Sequence, residues 1–246
     1  MGGSASAELA DLTMFVILEN VLQRFQHRNK MIMTSRFRDD GWIIYSGPIE
    51  EIHELFTIAN TAHPHLKFTY EFSRNETIFL DTVIYKGERF FNEGILDIKT
   101  YFKPTETFQY LHRYSSHPKS VFKGFIKGEV LRYIRNTSSK TELKKQLEAF
   151  KTRLLKRGYK ISEINEIFNQ TQNIERKNLL IQRQTKREQP LVMLTKFKPS
   201  IQKLKNIITK HWNLISLNPN CLNIFNRQPI IAYKRHTNLQ ELLSKH

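Results

Sequence analysis

Hydrophobic and polar positions follow two periods along this chain, one of about 3.6 residues and one of two. Apolar residues recur at helical spacing over 9–25 and predict an amphipathic helix that ends near Arg28. Two β-prone segments, 31–37 and 42–45, then flank the motif Asp39-Asp40-Gly41. Asp-Gly between such segments predicts a tight hairpin, because glycine accepts the positive φ of a short turn.

The period changes again after the hairpin. Pro48 stands ahead of apolar residues at helical spacing and predicts a short second helix over 49–60. Alternating or β-branched runs then predict about three strands, over 66–71, 78–85 and 95–102. The first hundred residues therefore predict an α+β layer, with helices on one face of an antiparallel sheet.

From about Ser116 the apolar spacing is helical. It predicts three helices, over 121–134, 143–154 and 161–174, the second capped by Gly158 and the third running into a polar stretch that Pro190 ends. A strand, a helix, a second strand and a last helical turn are predicted over 191–197, 200–217, 230–233 and 238–243. Helices therefore dominate the second half.

The two halves of the chain differ in net charge. The 246 residues carry a formal charge of +16 with a pI near 9.9. Residues 140–246 hold 22 Lys and Arg against 7 Asp and Glu, a net of +15, which leaves 17 against 16, a net of +1, for residues 1–139. A balance this basic indicates a polyanionic partner, nucleic acid ahead of an acidic membrane.

Other features of the composition narrow the class of protein. No apolar run approaches the ~20 residues that a membrane span needs. Cys221 is the only cysteine, which excludes an internal disulfide framework and suits a reducing compartment. We therefore expect an intracellular protein, placed in the nucleus, with no membrane partner.

The hairpin carries the first candidate chemistry. Asp39 and Asp40 are adjacent acids at its tip, where each raises the cost of ionising the other. A divalent ion such as Mg²⁺ would remove that conflict, because it prefers oxygen ligands. A plain solvated turn explains the same three residues, and the motif alone does not separate the two interpretations.

The basic residues of the second half are the second candidate. Tyr101, Tyr110 and Tyr114 lie among these basic residues and are expected to stack on bases. The basic residues expected to contact nucleic acid are Lys103, Arg113, Lys119, Lys123, Lys127, Lys144, Lys145, Lys151, Arg153, Lys156 and Arg157. We expect contacts to the phosphate backbone rather than to base edges. Solvated helix faces are the alternative explanation for the same lysines.

Short motifs also occur in a fixed order along almost the whole chain. They are Met1-Gly2 with Ser6, residues 10–14, Phe37-Arg38-Asp39-Asp40, residues 63–69, Phe79-Leu80-Asp81, and the stretches 103–107, 110–112, 116–118 and 231–243. In this order they resemble the palm and thumb portion of the reverse transcriptases encoded by Penelope-like retroelements. The resemblance implies a partial palm over 1–103, a helical thumb over 104–190 and a small basic α/β module over 191–246.

The resemblance also implies roles for residues. Asp39 and Asp40 would ligate catalytic Mg²⁺ or Mn²⁺, Gly2, Gly3 and Ser6 would line the template side, and Phe79, Leu80 and Asp81 would contact the primer end. The implied activity is RNA-directed DNA synthesis by two-metal nucleotidyl transfer on an RNA template, a DNA primer and their hybrid duplex.

The family's fingers and an upstream palm aspartate have no counterpart in this sequence, which we expect to be truncated at its N-terminus. Mg²⁺ wants six ligands in tight octahedral geometry, so two adjacent carboxylates give a weak site. We therefore expect the chain to be inactive alone. The alternative is a non-catalytic remnant that grips duplex or RNA–DNA hybrid through its basic thumb.

Overall fold

The computed structural model describes the chain with a few gaps, as residues 5–171, 173–181, 191–197, 202–217, 228–234 and 243. Its residues cluster into two units, each with its own contacts. The first unit comprises Met1–Thr107 and Asn136–Lys145, and the second comprises Phe108–Arg135 and Gln146–His246. Both helices and small sheets are present, which confirms the α+β class.

The first unit starts with a helix, a hairpin and a second helix, as the sequence predicts. Their bounds are α1 Ser6–Arg24, β1 Met31–Phe37, β2 Asp40–Tyr45 and α2 Ile49–Thr61. The strands pair antiparallel, with Phe37 opposite Asp40. The buried core of these elements is Val21 and Phe25 against Leu55 and Ala59. The apolar period of α2 therefore matches this core, whereas α1 contributes only its C-terminal end, because Leu9, Leu12, Phe15 and Val16 are exposed.

A three-stranded antiparallel sheet follows in the order β3-β4-β5, with strands Glu76–Phe79, Thr82–Tyr85 and Asp97–Thr100. A short helix, α3, spans Glu88–Glu93 between the second and third strands. Two strands thus replace the single strand predicted over 78–85. The chain reverses at Leu80 and Asp81, where Leu80 takes a φ of +53°. No glycine or asparagine marks this turn, so the residue pattern gave no signal for it.

The strand predicted over 66–71 is wrong as well. Leu66, Phe68 and Tyr70 are half-buried while the residues between them are exposed, so the alternation is real. The backbone, however, has no strand partner at this point. The Asn60 side chain accepts the N–H of Phe68 at 2.7 Å and donates to its carbonyl at 3.0 Å. A side-chain amide of α2 therefore takes the place of a neighbouring strand.

Two long helices come next, α4 Lys119–Asn136 and α5 Lys140–Lys156. The turn between them belongs to the first unit, where Ser138 exchanges hydrogen bonds with the backbone of Ile98 on β5 and donates to the buried Asp97 at 2.7 Å. Burial alone would raise the pKa of Asp97, but hydrogen bonds from Arg89 and Ser138 outweigh burial and lower it. The turn is therefore fixed to the strand by charge-assisted bonds.

Within the second unit, α4 and α5 pack with α6, Ile161–Thr171, around an aromatic core. Tyr133 and Phe150 are fully buried, with ring centroids 5.4 Å apart. Phe150 also stacks on Phe168 of α6 at 6.4 Å. The helix predicted over 161–174 ends earlier, at Thr171, whose hydroxyl donates to the carbonyls of the preceding turn. A separate short helix, α7, spans Arg176–Leu180.

The last described elements are two parallel strands, β6 Val192–Lys196 and β7 Ile230–Lys234, and the helix α8 Gln202–Ser216. These agree with the strand, helix and strand predicted there. The final helical turn predicted over 238–243 lies outside the described residues apart from Leu243. None of the helices within the described ranges has the length and hydropathy that a membrane-spanning segment requires.

Candidate nucleic-acid interface

The segment ahead of α4, residues 108–114, lies against the end of α5 and the start of α6, and we name it the strap. Arg157 donates from Nε to the carbonyl of Tyr110 at 2.7 Å, and its own carbonyl accepts the N–H of Arg113 at 3.0 Å. The Tyr159 hydroxyl donates to the Leu111 carbonyl at 3.0 Å. The strap is thereby held by the connection between the two helices.

Arg113 fixes the far end of the strap to α6. Its guanidinium donates two hydrogen bonds to the Glu163 carboxylate, at 3.1 and 2.7 Å, and lies 5.0 Å from the centroid of Phe122. The hydrogen bonds from Arg113 are the main reason that the pKa of Glu163 is lowered from its ordinary value. This fork-to-fork pair is directional as well as strong. Arg113 is thus already engaged inside the unit.

Arg153 and Arg157 are also used internally. The guanidinium carbon of Arg153 lies 3.3 Å from the ring centroid of Phe108, a residue with a positive φ of +52°. Arg157 bonds to the carbonyl of Tyr110 in the strap. These three arginines were expected to contact nucleic acid, and the structure places each of them in a packing or positioning role in the described region. Any contact that they make with a ligand remains a prediction.

The lysines are placed differently. Lys119, Lys123 and Lys127 follow one another at four-residue spacing along α4, so they share one face of the helix. Lys123 forms an ion pair with Glu166 at 2.8 Å, yet 63% of its side chain remains exposed. The other exposed lysines of the expected set have no carboxylate at ion-pair distance among the described residues. They are Lys103, Lys119, Lys127, Lys144, Lys145 and Lys156.

These exposed lysines are divided between the two units. Lys103, Lys144 and Lys145 belong to the first unit, and Lys119, Lys127 and Lys156 belong to the second. Lys151 is half-buried. Lys160, which belongs to the same basic run, is exposed in the connection between α5 and α6. Among the second-unit residues from 109 to 169, the exposed lysines with no carboxylate at ion-pair distance in the described region are therefore Lys119, Lys127, Lys156 and Lys160.

The connection between α5 and α6 is a four-residue turn, 157–160. Gly158 has a φ of +85° and ends α5 in the left-handed conformation, as its predicted capping role requires. The backbone N–H of Lys160 donates to the Glu163 side chain at 3.3 Å, which satisfies a free amide at the start of α6. The direction in which α6 leaves the turn is set by these two residues.

The exposed face of α6 carries uncharged hydrogen-bonding groups beside one carboxylate, that of Glu166, which forms the ion pair with Lys123. Ile164, Ile167 and Thr171 are buried. Ser162, Asn165 and Asn169 lie on the opposite side of the helix and are exposed. Asparagine side chains donate to and accept from adenine in the major groove, so this face has groups of the kind that contact base edges. The sequence analysis missed this face, although a helical projection of 161–171 shows it.

The acidic hairpin lies in the first unit. Arg38 and Asp39 form its turn, Arg38 with a φ of +54°, and both Asp39 and Asp40 are exposed. This confirms the predicted hairpin with paired acids at its tip, but the positive φ is at Arg38 and not at Gly41, which pairs with Arg36 inside β2. Within the described ranges no group of three or more His, Cys, Asp and Glu residues is placed to hold a metal ion. The donor set at Asp39 and Asp40 is therefore incomplete for Mg²⁺ or Mn²⁺.

The remaining expected site residues are dispersed. Phe79 ends β3 and its ring stacks on Trp42 at 6.3 Å, while Leu80 and Asp81 are exposed at the turn rather than inside a strand. Ser6 begins α1 and is exposed, with no side-chain capping bond there. Gly2 and Gly3 lie outside the described residues. Roles in template or primer contact remain predictions for all of these residues.

Comparison with known families adds one finding. Residues 109–169 match the animal helix-turn-helix domain. The matched stretch covers α4, α5, α6 as far as Asn169 and almost all of the strap, about a quarter of the chain. A search of curated proteins and a search of solved structures each returned no match.

Helix-turn-helix domains that bind DNA place one helix in the major groove after a tight turn that often contains glycine. The α5 helix, the turn with Gly158 and the α6 helix follow that order here. The match thus supports nucleic acid as a partner, and it favours the binding interpretation over the polymerase interpretation. The resemblance to reverse transcriptases is not tested by it.

Proposed function

We propose that this chain binds double-stranded nucleic acid, DNA or RNA–DNA hybrid, through the second unit and without performing chemistry. The observation that carries the proposal is the helix-turn-helix match on a strongly basic stretch. Residues 109–169 hold 14 Lys and Arg against 5 Glu and no Asp, a formal net charge of +9. Phosphate neutralisation supplies most of the affinity of such a surface.

The side chains of the second unit have different roles in the proposed complex. Exposed lysines with no ion-pair partner in the described region contact the phosphates, which positions the duplex without reading its sequence. The α6 face that bears Asn165 and Asn169 contacts base edges. Arg113, Arg153 and Arg157 are engaged in fixing the strap to the helices. Affinity then depends on the lysines, and any base preference depends on Asn165 and Asn169.

The test is a salt titration of the full 246-residue chain with a fluorescent 20-base-pair duplex, followed by anisotropy. Four to six lysine–phosphate contacts give a log–log slope of about −4 to −5, so affinity is expected to fall about 10²- to 10³-fold between 50 and 200 mM KCl. A matched RNA–DNA hybrid is expected to bind with similar affinity, because backbone contacts dominate. Binding that does not change with salt, or no binding at 50 mM KCl, would refute the proposal.

A second candidate function rests on the acidic hairpin. We propose that the chain shares ancestry with the reverse transcriptases of Penelope-like retroelements, because the tip of β1 and β2 presents Asp39 and Asp40 as that resemblance expects. Metal-dependent nucleotidyl transfer needs carboxylates that hold two ions about 3.5–4 Å apart. Two exposed acids do not fit that requirement, so no catalytic step is assigned to them.

This candidate is tested by primer extension with the isolated chain, a labelled DNA primer, an RNA template and deoxynucleotides in Mg²⁺ or Mn²⁺. No extension is expected, and Asp39→Ala is expected to leave the affinity for duplex within about twofold, because Asp39 makes none of the proposed contacts with the duplex. Extension by the wild-type chain that Asp39→Ala abolishes would show instead that the hairpin is a working metal site.

A further inference from the structure

Tyr114, in the strap, is an exposed aromatic residue that is also held in place. Its relative exposure is 78%, the largest of any large hydrophobic residue among those described. One edge of the ring lies over Gly158, where a Cβ would come within 3.2 Å of a ring carbon. Gly158 is thus needed twice, for its positive φ and for the close approach of the ring.

Several contacts fix this position. The backbone N–H of Tyr114 donates to Nδ1 of His112 at 3.3 Å, and the two rings are 5.7 Å apart. The preceding residue, Arg113, is bound to Glu163 through its side chain and to the Arg157 carbonyl through its backbone. An exposed ring on a fixed backbone loses little conformational entropy when it binds a ligand.

The surroundings of the ring are cationic. Lys156 and Lys160 lie two residues to either side of Gly158, and both are exposed. No carboxylate forms an ion pair with either ammonium group in the described part of the chain. An aromatic face flanked by cations suits a ligand that has a flat ring and an anionic backbone.

The other aromatic residues expected to stack are placed differently. Tyr110 is half-buried, hydrogen-bonded to the Tyr133 hydroxyl at 3.0 Å and packed 5.2 Å from Phe150. Tyr101 is half-buried in the first unit. Of the three, Tyr114 alone presents most of its ring to solvent.

We propose that Tyr114 is a stacking platform for an unpaired nucleobase at the end of a bound duplex, so that the chain prefers a junction of single and double strands to a blunt end. The inference rests on the proposed nucleic-acid binding and extends it. Lys156 and Lys160 contact the phosphates that flank the unpaired base. Every nucleobase has a π-face, so the platform is indifferent to sequence.

The experiment uses the full chain at 100 mM KCl with two DNAs, a blunt 20-base-pair duplex and the same duplex with a three-nucleotide 3′ overhang. The first unpaired position of the overhang is 2-aminopurine, whose fluorescence falls on stacking. Wild type is expected to bind the overhang about tenfold more tightly than the blunt end and to quench the probe. Tyr114→Ala is expected to abolish both effects while binding the blunt duplex as before, and Tyr114→Phe to keep both.

Phe91→Ala is the matched control, because Phe91 is 77% exposed but belongs to the first unit; it is expected to retain the preference. Blunt and overhang duplexes that bind equally to wild type, or a preference that survives Tyr114→Ala, would overturn the inference alone. Failure to bind either DNA at low salt would overturn the proposed function. A loss of quenching in Tyr114→Phe would also count against stacking, since that variant retains the ring.

Discussion

Simultaneous replacement of four exposed lysines by alanine is expected to lower the affinity for a 20-base-pair duplex by about 10²- to 10³-fold at 0.1 M salt. The four are Lys119, Lys127, Lys156 and Lys160, all in the second unit and all without an ion-pair partner among the described residues. Removal of each lysine–phosphate interaction also makes the log–log salt slope shallower by about 0.9. Anisotropy titrations of the variant at several salt concentrations give both quantities.

A control with the same change in net charge separates local contacts from overall attraction. Arg24, Lys67, Arg74 and Lys86 are exposed cations of the first unit. Their joint replacement by alanine is expected to reduce affinity less than tenfold and to leave the salt slope nearly unchanged, because the proposed phosphate contacts are all made by the second unit. Equal reductions in affinity for the two variants would mean that the second unit is not the interface.

Phe150→Ala is expected to lower the free energy of unfolding by about 3–5 kcal/mol. The side chain is fully buried, and its ring lies against Tyr110, Tyr133 and Phe168 from the strap, α4 and α6. Truncation would leave a cavity at the point where all of these elements meet. Phe150→Leu, which preserves more of the volume, is expected to cost about 1–2 kcal/mol. Guanidinium chloride unfolding followed by circular dichroism measures both variants.

Phe91→Ala again supplies the comparison, since removal of a 77% exposed ring is expected to change the stability by less than about 0.5 kcal/mol. If Phe150→Ala were no more destabilising than Phe91→Ala, the aromatic core described for the second unit would be wrong.

Much of the fold was predictable from the sequence where one face of an element is buried. The apolar period predicted α1, α2, α4 and α5 close to their observed bounds. Each of these helices has buried apolar residues at helical spacing or at its end, among them Val21, Leu55, Tyr133 and Phe150. The hairpin at Asp39 and Asp40 was predicted from the Asp40-Gly41 pair, but glycine does not make its turn. Arg38 and Asp39 form the turn with the positive φ at Arg38, and Gly41 pairs with Arg36 inside β2.

The failures share a physical cause. The segment 66–71 alternates like a strand because Phe68 packs inward, but its hydrogen bonds go to a side chain on α2. The turn at Leu80 and Asp81 uses a non-glycine residue with positive φ, which no local pattern reveals. In both places tertiary contacts decide the backbone, and local residue preferences do not record those contacts.

The candidate interface was predictable in composition but not in detail. The excess of lysine and arginine is visible in the sequence. That Arg113 and Arg157 are bound within the unit is not visible, because their partners Glu163 and Tyr110 are 50 and 47 residues away along the chain. The same separation hides the contact of Tyr114 with Gly158.

The strap also has a consequence for the order of folding. Its anchoring contacts join residues 47 to 50 positions apart, whereas the three helices form from contacts within a few residues. Closing a loop of that length costs chain entropy before any stabilising interaction forms, so such contacts form late. We therefore expect the strap to dock after α4, α5 and α6 have formed, which brings the Tyr114 ring over Gly158 late in the folding of the second unit.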